Sequence, residues 1–112
     1  MDARADKRQA PRYPVNFQVV CRSKGQDLPG RALNLSRGGV LVTTPGLLTA
    51  GMLIEVSLAV PGTEAIQFKG IVRYASQDMG MGVEFLEVLP HHQDRFTAYL
   101  NQLAIVPGLV AN

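Results

Sequence analysis

The sequence RALNLSRGGVLVTT at residues 31–44 places two apolar runs on either side of a short polar turn. The runs Arg31 to Leu35 and Val40 to Thr44 have the length of strands, and the turn between them holds Ser and two consecutive glycines. Glycine takes positive φ and lets a backbone approach a ligand closely, while Asn34 and Ser36 add hydrogen-bonding side chains. A plain hairpin turn uses the same residues, so this stretch predicts a β fold without yet defining a site.

Period-two alternation continues outward from this hairpin in both directions. Upstream, Phe17, Val19 and Cys21 alternate with mostly polar residues, as in a half-buried strand. Downstream, the same pattern predicts three more strands, over Met52 to Val60, Ile66 to Tyr74 with Tyr74 facing inward, and Val83 to Val88. The glycines and prolines between these runs predict turns, including breaks at residues 25–30 and 79–82.

The last part of the chain changes period. After Pro90, four apolar residues recur at the spacing of one helix face, namely Phe96, Tyr99, Leu100 and Leu103. Pro107 and Gly108 are expected to end this helix. Six short strands and one amphipathic helix predict a mainly β fold, either a sandwich or a barrel, with the helix over an open end or face.

Length and composition indicate one globular domain. The chain has 112 residues, of which 46% are hydrophobic and 18% charged. We assign residues 1–12 to a flexible basic tail, residues 13–106 to the domain with its closing helix, and residues 107–112 to a C-terminal tail. No apolar run reaches the roughly 20 residues that span a bilayer, and no apolar segment follows the charged N-terminus. We therefore expect a cytoplasmic protein without membrane insertion.

Positive charge is concentrated at the N-terminus. Of the 11 basic and 9 acidic residues, residues 1–12 hold four and two, so the rest of the chain is neutral. A protein that binds nucleic acid is expected to carry positive charge across a whole face, so this distribution favours a small anionic ligand bound at one end. A solvated basic tail is the alternative. An oligonucleotide-binding barrel would also need exposed aromatic residues, and the strand aromatics are expected to point mostly inward.

The sequence contains no recognisable catalytic or metal-binding arrangement. Ser36 has no base near it in the sequence, and the adjacent His91 and His92 point about 100° apart on a helix, where we expect both to be exposed. Gly80-Met81-Gly82 lacks the third glycine of a dinucleotide fingerprint. Cys21 is the only cysteine and is predicted to be a small core residue. We therefore expect no enzymatic activity, no metal and no cofactor.

Two motifs taken together point to a family. Arg8-Gln9-Ala10-Pro11-Arg12 leads into the first strand, and Asn34-Leu35-Ser36-Arg37-Gly38-Gly39 follows after it. This pair resembles the Arg-x-x-x-Arg and Asp/Asn-x-Ser-x-x-Gly motifs of the PilZ domain family, bacterial receptors for cyclic di-GMP, and the likeness runs from Arg4 to Leu103. The resemblance implies a six-stranded antiparallel β-barrel with a C-terminal α-helix and a flexible N-terminal tail.

The resemblance also assigns ligand-binding residues. It implies that Arg8 and Arg12 bind cyclic di-GMP, that Asn34 and Ser36 bind a guanine, and that Gly39 shapes the turn. Arginine suits this ligand because its planar guanidinium pairs with a phosphate or a guanine edge and stacks on a purine. The family more often has Asp at the position of Asn34. An amide has one acceptor where a carboxylate has two, so a lower affinity is expected.

Five further residues are accessory candidates for the site: Arg4, Lys7, Arg37, Gly38 and Arg73. Arg4 repeats the arginine spacing before Arg8 but lies too far from the first strand. The resemblance implies that Lys7, directly before the first arginine, influences whether one nucleotide or an intercalated pair is bound. Lysine has no planar surface for stacking on a guanine, and this favours the binding of one nucleotide rather than a pair. Arg37 in the turn and Arg73 on an outward strand face are placed where either could meet a phosphate.

The sequence leaves two functions open. One is a receptor whose residues 4–12 are mobile when free and become ordered over the barrel when cyclic di-GMP binds, forming a surface for a downstream protein partner. The other is a ligand-independent adaptor that acts by protein contact, although PilZ-like adaptors usually lack the arginine motif that this chain retains.

Overall fold

The computed structural model describes residues 10–46 and 48–105, and all elements below lie within these ranges. Residues 1–9, with Arg4, Lys7 and Arg8, fall outside them, as do Leu47 and residues 106–112. The chain forms six strands and then a helix: β1 (Tyr13–Ser23), β2 (Gln26–Ser36), β3 (Gly39–Thr43), β4 (Leu53–Leu58), β5 (Ile66–Ser76), β6 (Gly80–Val88) and α1 (Pro90–Ile105).

The six strands close into a barrel in the order β1-β2-β3-β6-β5-β4. Every neighbouring pair is antiparallel, including the β1–β4 and β3–β6 pairs that complete the closure. Closure gives each strand two neighbours and removes the open sheet edges that favour aggregation. The mainly β fold, a six-stranded antiparallel barrel with a C-terminal helix, is confirmed.

Alternating residues of the strands fill the barrel. Phe17, Val19 and Cys21 of β1 are buried, as are Val56 and Leu58 of β4, in agreement with the period-two pattern. Burial raises the pKa of the Cys21 thiol to about 11. A thiol with this pKa stays protonated near neutral pH, so Cys21 is a packing residue, as predicted.

The apolar face of α1 packs on the barrel core. The ring of Phe96 meets those of Phe68 and Phe85 edge-on, with centroid separations of 4.8 and 5.7 Å. Tyr99 meets Phe17 in the same way at 6.1 Å. Such edge-to-face pairs contribute about 0.5–1.5 kcal/mol beyond the burial of their area, so the predicted helical stripe is part of the core. Neither described range contains a helix long and apolar enough to cross a membrane.

Two turns differ from the prediction. Instead of a break over residues 25–30, a tight turn at Lys24 and Gly25, both with positive φ, leads directly into β2 at Gln26. Pro29 is tolerated inside this strand because β3 pairs with β2 only from Arg31 onward, so at Pro29 the strand pairs with β1 alone. The predicted turn at residues 79–82 is also wrong, because the turn spans residues 77–79 and β6 already begins at Gly80.

His92 is a third correction. His91 is exposed as expected, but His92 is buried, with 8% of its surface accessible. Its Nδ1 accepts a hydrogen bond from the backbone N–H of Gln67 at 3.3 Å and lies 2.7 Å from Nη2 of Arg95. The first turn of α1 is therefore attached to the start of β5 through a histidine side chain.

Candidate ligand-binding groove

Strand register brings the two sequence motifs together. Tyr13 of β1 pairs with Leu35 of β2. Arg12 precedes Tyr13 and Ser36 follows Leu35, so antiparallel pairing places these two residues at the same end of the β1–β2 ladder. Both line one groove.

The β2–β3 turn is held by two hydrogen bonds. Ser36 is buried, and its Oγ accepts from the backbone N–H of Gly38 at 3.2 Å. The carbonyl of Gly38 in turn accepts from the backbone N–H of Phe85 in β6 at 2.9 Å. Ser36 thus supports the shape of the turn, and the turn itself is fastened to a neighbouring strand.

The glycines of this turn do not have the conformation that their sequence suggested. Positive φ occurs at other glycines, and the φ values of Gly38 and Gly39 lie outside that region. Gly39 is required for a different reason. A Cβ at this position would overlap the carbonyl oxygen of Val83, because β3 passes very close to the backbone of β6. The close approach of two backbones, rather than backbone freedom, explains this glycine.

The groove has a volume of about 440 Å³ and crosses β3, β6 and β5 next to the turn. This volume lies within the roughly 300–1,000 Å³ typical of small-molecule sites. Of its described lining residues, five were site candidates in the sequence and five were not. The ten are Arg12, Ser36, Gly38, Gly39, Val40, Arg73, Tyr74, Gly82, Val83 and Glu84.

Arg73 is held in place by an ion pair. Its Nε donates to Oε1 of Glu84 at 2.5 Å, between side chains that are 54% and 16% exposed. The two residues lie on adjacent strands, β5 and β6. The pairing orients the guanidinium at the groove wall and also brings a carboxylate to the same wall, which lowers the positive potential available to an anion.

A β-bulge places Arg73 and Tyr74 side by side. Val72 pairs with Val83, but Tyr74 pairs with Gly82, so β5 carries one extra residue at this point. Val72 and Val83 are buried, whereas Tyr74 is 43% exposed. The inward orientation predicted for Tyr74 is therefore wrong. The inserted residue reverses the alternation, as bulges do, and turns Tyr74 outward into the groove.

Of the predicted site residues that the structure describes, two lie outside the groove lining. Asn34 is half-buried on β2, paired with Pro14 and Leu41, and Arg37 is exposed in the turn. Tyr74, Gly82 and Glu84 were missed by the sequence. Glu84 belongs to neither sequence motif, and Tyr74 and Gly82 become neighbours only through the register of β5 with β6.

A second groove, of about 400 Å³, lies near the β1–β2 turn and includes Leu53 and Leu86. These leucines are 68% and 53% exposed. Among the described residues, the two grooves share no lining residue. Across residues 10–46 and 48–105, no group of three histidine, cysteine, aspartate or glutamate side chains is arranged to hold a metal ion.

Fold and groove together define a small closed β-barrel with a candidate ligand site beside the β2–β3 turn. Residues 6–102 match the family model of the PilZ domain, and the chain therefore belongs to the PilZ domain family. Members of this family are generally receptor or adaptor domains rather than enzymes.

Among solved structures, the chain is similar to the inhibitor of motility of Bacillus subtilis, MotI/DgrA, with a TM-score of 0.69 and 18% sequence identity. The match covers 87% of this chain and 51% of that one, so the chain spans about half of that protein's length. At this identity the likeness shows a shared fold. Comparison with curated proteins found no match.

Proposed function

We propose that this protein is a cytoplasmic receptor domain for cyclic di-GMP. The observation that carries the proposal is the meeting of Arg12, from the first motif, with Ser36, Gly38 and Gly39, from the second, along one groove. The two motifs lie at opposite ends of the β1–β2 hairpin in the sequence. Binding of one ligand by both motifs would explain why both contribute residues to the same groove. Arg8 and Asn34 complete the proposed set.

The chemistry of the groove suits a nucleotide with two phosphates and two guanines. Arg12 and Arg73 supply guanidinium groups that form charge-assisted hydrogen bonds to phosphate or to a guanine O6/N7 edge. The β2–β3 turn adds a hydroxyl and backbone groups at one end. We assign Arg73 the accessory role, because its guanidinium already pairs with Glu84 and a ligand must share it.

Ordering of the N-terminal segment is the proposed output. Residues 4–12 have few apolar side chains to bury, and fixing a backbone costs about 1–2 kcal/mol per residue, so contacts to bound nucleotide are needed to order them. Segment, nucleotide and turn then form a joint surface for a downstream protein. This surface exists only in the bound state, which makes ordering the signal.

A ligand-independent adaptor is the second candidate. It is favoured by two features of the groove: Glu84 offsets the charge of Arg73, and Asn34 is absent from the lining residues. An adaptor of this kind would use the barrel surface for protein contact and would not respond to nucleotide.

Calorimetric titration with cyclic di-GMP separates these functions. Each arginine contact contributes about 1.5–3 kcal/mol, so Arg8→Ala or Arg12→Ala is expected to lower affinity about 10- to 150-fold. Arg22→Ala is the matched control. It removes an arginine from the opposite end of β1, where the exposed pair with Asp27 contributes little to stability. The Arg22→Ala variant should therefore bind cyclic di-GMP with the affinity of the parent.

The outcomes are distinct. Parent protein that binds a short oligonucleotide as well as cyclic di-GMP would indicate a general affinity for polyanions. No binding to either would favour the adaptor. Equal affinity of the parent and the Arg8→Ala/Arg12→Ala double variant would remove the arginine motif from the site.

A further inference from the structure

We propose that Tyr74 is a stacking platform for one purine base of the bound nucleotide, and that Gly82 is the residue that positions its ring. The inference rests on the proposed cyclic di-GMP function and extends it to two residues outside both sequence motifs. Among the described residues that line the groove, Tyr74 is the only aromatic one.

Tyr74 is exposed in a way that packing alone does not require. The other aromatic side chains of the described strands are at least partly buried: Phe17, Phe68 and Phe85 lie in the core, and Tyr13 packs against it. Tyr74 has 43% of its surface accessible, because the bulge at Arg73 turns it to the outer face. A large exposed ring inside a concave, arginine-containing groove is a surface available to a ligand.

Gly82 fixes the orientation of the ring. It pairs directly with Tyr74 across β5 and β6, and a Cβ at Gly82 would overlap Cδ2, Cε2 and Cζ of the tyrosine. The ring therefore occupies the space that any other side chain would need. Aromatic residues commonly cover a cross-strand glycine in this way. The ring lies against the backbone of β6 at Gly82, and 43% of the surface of Tyr74 remains accessible to a base.

The chemical class of the partner follows from this geometry. An open aromatic face binds a flat π-system, and a purine is the planar group of a guanine nucleotide. Arg73 precedes Tyr74 on the same face, so a base on the ring would bring its attached phosphate towards a guanidinium. Stacking accepts every base, so Tyr74 adds affinity, and recognition of guanine falls to the hydrogen-bonding groups of the site.

Three substitutions at Tyr74 test the platform by calorimetric titration with cyclic di-GMP. Tyr74→Phe keeps the ring and should bind within about twofold of the parent. Tyr74→Ala should lose about 5- to 150-fold in affinity, the range for one base–aromatic stack. Tyr74→Leu still covers Gly82 with apolar atoms but offers no flat face, so it should lose nearly as much. Thermal melts of the three variants report whether the barrel remains folded.

Gly82→Ala tests the positioning role of this groove-lining residue. The atoms nearest to the added methyl group all belong to the Tyr74 ring, so the ring must swing away. The substitution should weaken binding in the parent and have no further effect in the Tyr74→Ala background, a non-additivity that a double-mutant cycle measures. A merely structural loss at Gly82 would appear equally in both backgrounds.

A readout that does not depend on affinity comes from NMR of tyrosine-labelled protein. Stacking should shift the Tyr74 ring protons upfield on addition of cyclic di-GMP, while those of Tyr99, which packs against Phe17, stay in place. Parent protein that binds no cyclic di-GMP overturns the proposed function and this inference together. Parent protein that binds cyclic di-GMP, with Tyr74→Ala and Tyr74→Leu variants that bind it as tightly as the parent, overturns this inference alone.

Discussion

At the scale of single residues, one inserted amino acid in β5 determines which side chains of this strand face the groove. Without the bulge at Arg73, strict alternation would keep Tyr74 on the inner side with Val72. With it, a cation and an aromatic ring follow one another on the outer face. A bulge also occurs in β2, where the register slips between Ala32 and Asn34 and the side chains of Ala32 and Leu35, three residues apart, are both buried. Both bulges flank the strands that carry the site.

Gly39 shows how a missing side chain shapes the turn. We expect Gly39→Ala to lower the free energy of unfolding by about 1–3 kcal/mol, the usual cost of overpacking, because the methyl group meets the backbone of Val83. It should also weaken cyclic di-GMP binding, since β3 must move at the groove. Urea denaturation and ligand titration measure the two effects.

Gly25→Ala is the matched control for this substitution. Gly25 has a φ of 77° and no atom within 4 Å of its added Cβ, so the variant is strained by its backbone alone. Left-handed backbone costs a non-glycine residue about 1–2 kcal/mol, and binding should be unchanged because Gly25 is distant from the turn in the β1–β2 ladder. A Gly39→Ala protein with parental stability and affinity would contradict the close approach of β3 and β6.

At the scale of elements, the first turn of α1 depends on a neutral histidine. Nδ1 of His92 faces two donors, the N–H of Gln67 and Nη2 of Arg95, so the proton of the neutral ring belongs on Nε2. Arg95 also donates to the carbonyl of Glu64 and to Oγ1 of Thr63. These contacts connect the helix to the loop that precedes β5.

Burial lowers the pKa of His92, and the nearby His91 and Arg95 lower it further, against smaller opposing effects of Glu64 and the Ala65 backbone. A histidine with a lowered folded-state pKa takes up its proton more readily when unfolded. Its contribution to stability is complete above the unfolded pKa of about 6.5 and is lost as pH falls through the lower folded value. We expect the melting temperature to fall between about pH 7.5 and pH 5.5.

His92→Asn isolates this effect. Asparagine places an acceptor oxygen near the position of Nδ1 and does not titrate in this range. The variant should melt below the parent at neutral pH but show a smaller decrease on acidification. His91→Asn, which changes an exposed neighbour, should keep the parental decrease. Identical pH profiles for the parent and His92→Asn would show that His92 is not the group responsible.

At the scale of the whole molecule, the six strands and the helix that the structure describes all lie within residues 13–105. Its core residues extend from Phe17 to Leu103. Ala10 is buried, so the part of the predicted tail from Ala10 onward includes at least one packed side chain. We expect deletion of residues 1–9 to leave the melting temperature nearly unchanged and to weaken cyclic di-GMP binding by at least as much as Arg8→Ala, because the deletion removes that arginine. Calorimetry and thermal melts of the two variants make the comparison.

Ordering of the N-terminal segment is tested by amide hydrogen exchange of the full chain with and without cyclic di-GMP. Exchange at residues 4–12 should be rapid in the free protein and slow in the saturated one. Arg8→Ala, at a ligand concentration that saturates it, should show less protection, since one of the contacts that fixes the segment is gone. Protection that is already present without ligand, or absent at saturation, would contradict the proposed signal.

The sequence by itself determined the strands, the helix and the two motifs of the site. Alternation in β1 and β4 identified the buried residues correctly. Apolar side chains at every second position of a strand lie on one face, and they are buried when that face turns towards the core. The period near 3.6 identified α1 for the same reason. Arg12, Ser36, Gly38 and Gly39 were selected from the motifs and Arg73 from its outward strand face, and strand pairing brings all five to one groove.

Only the tertiary structure decided the remaining features, and each of them depends on a partner strand or helix distant in sequence. A period-two pattern specifies a face as long as the register continues, and the register of β5 is set by β6. The change of face at Tyr74 therefore has no signal in the sequence around it. Gly39 is explained by the carbonyl of Val83, and His92 by the N–H of Gln67. Local patterns report preferences for burial, whereas these contacts arise when separate segments come together.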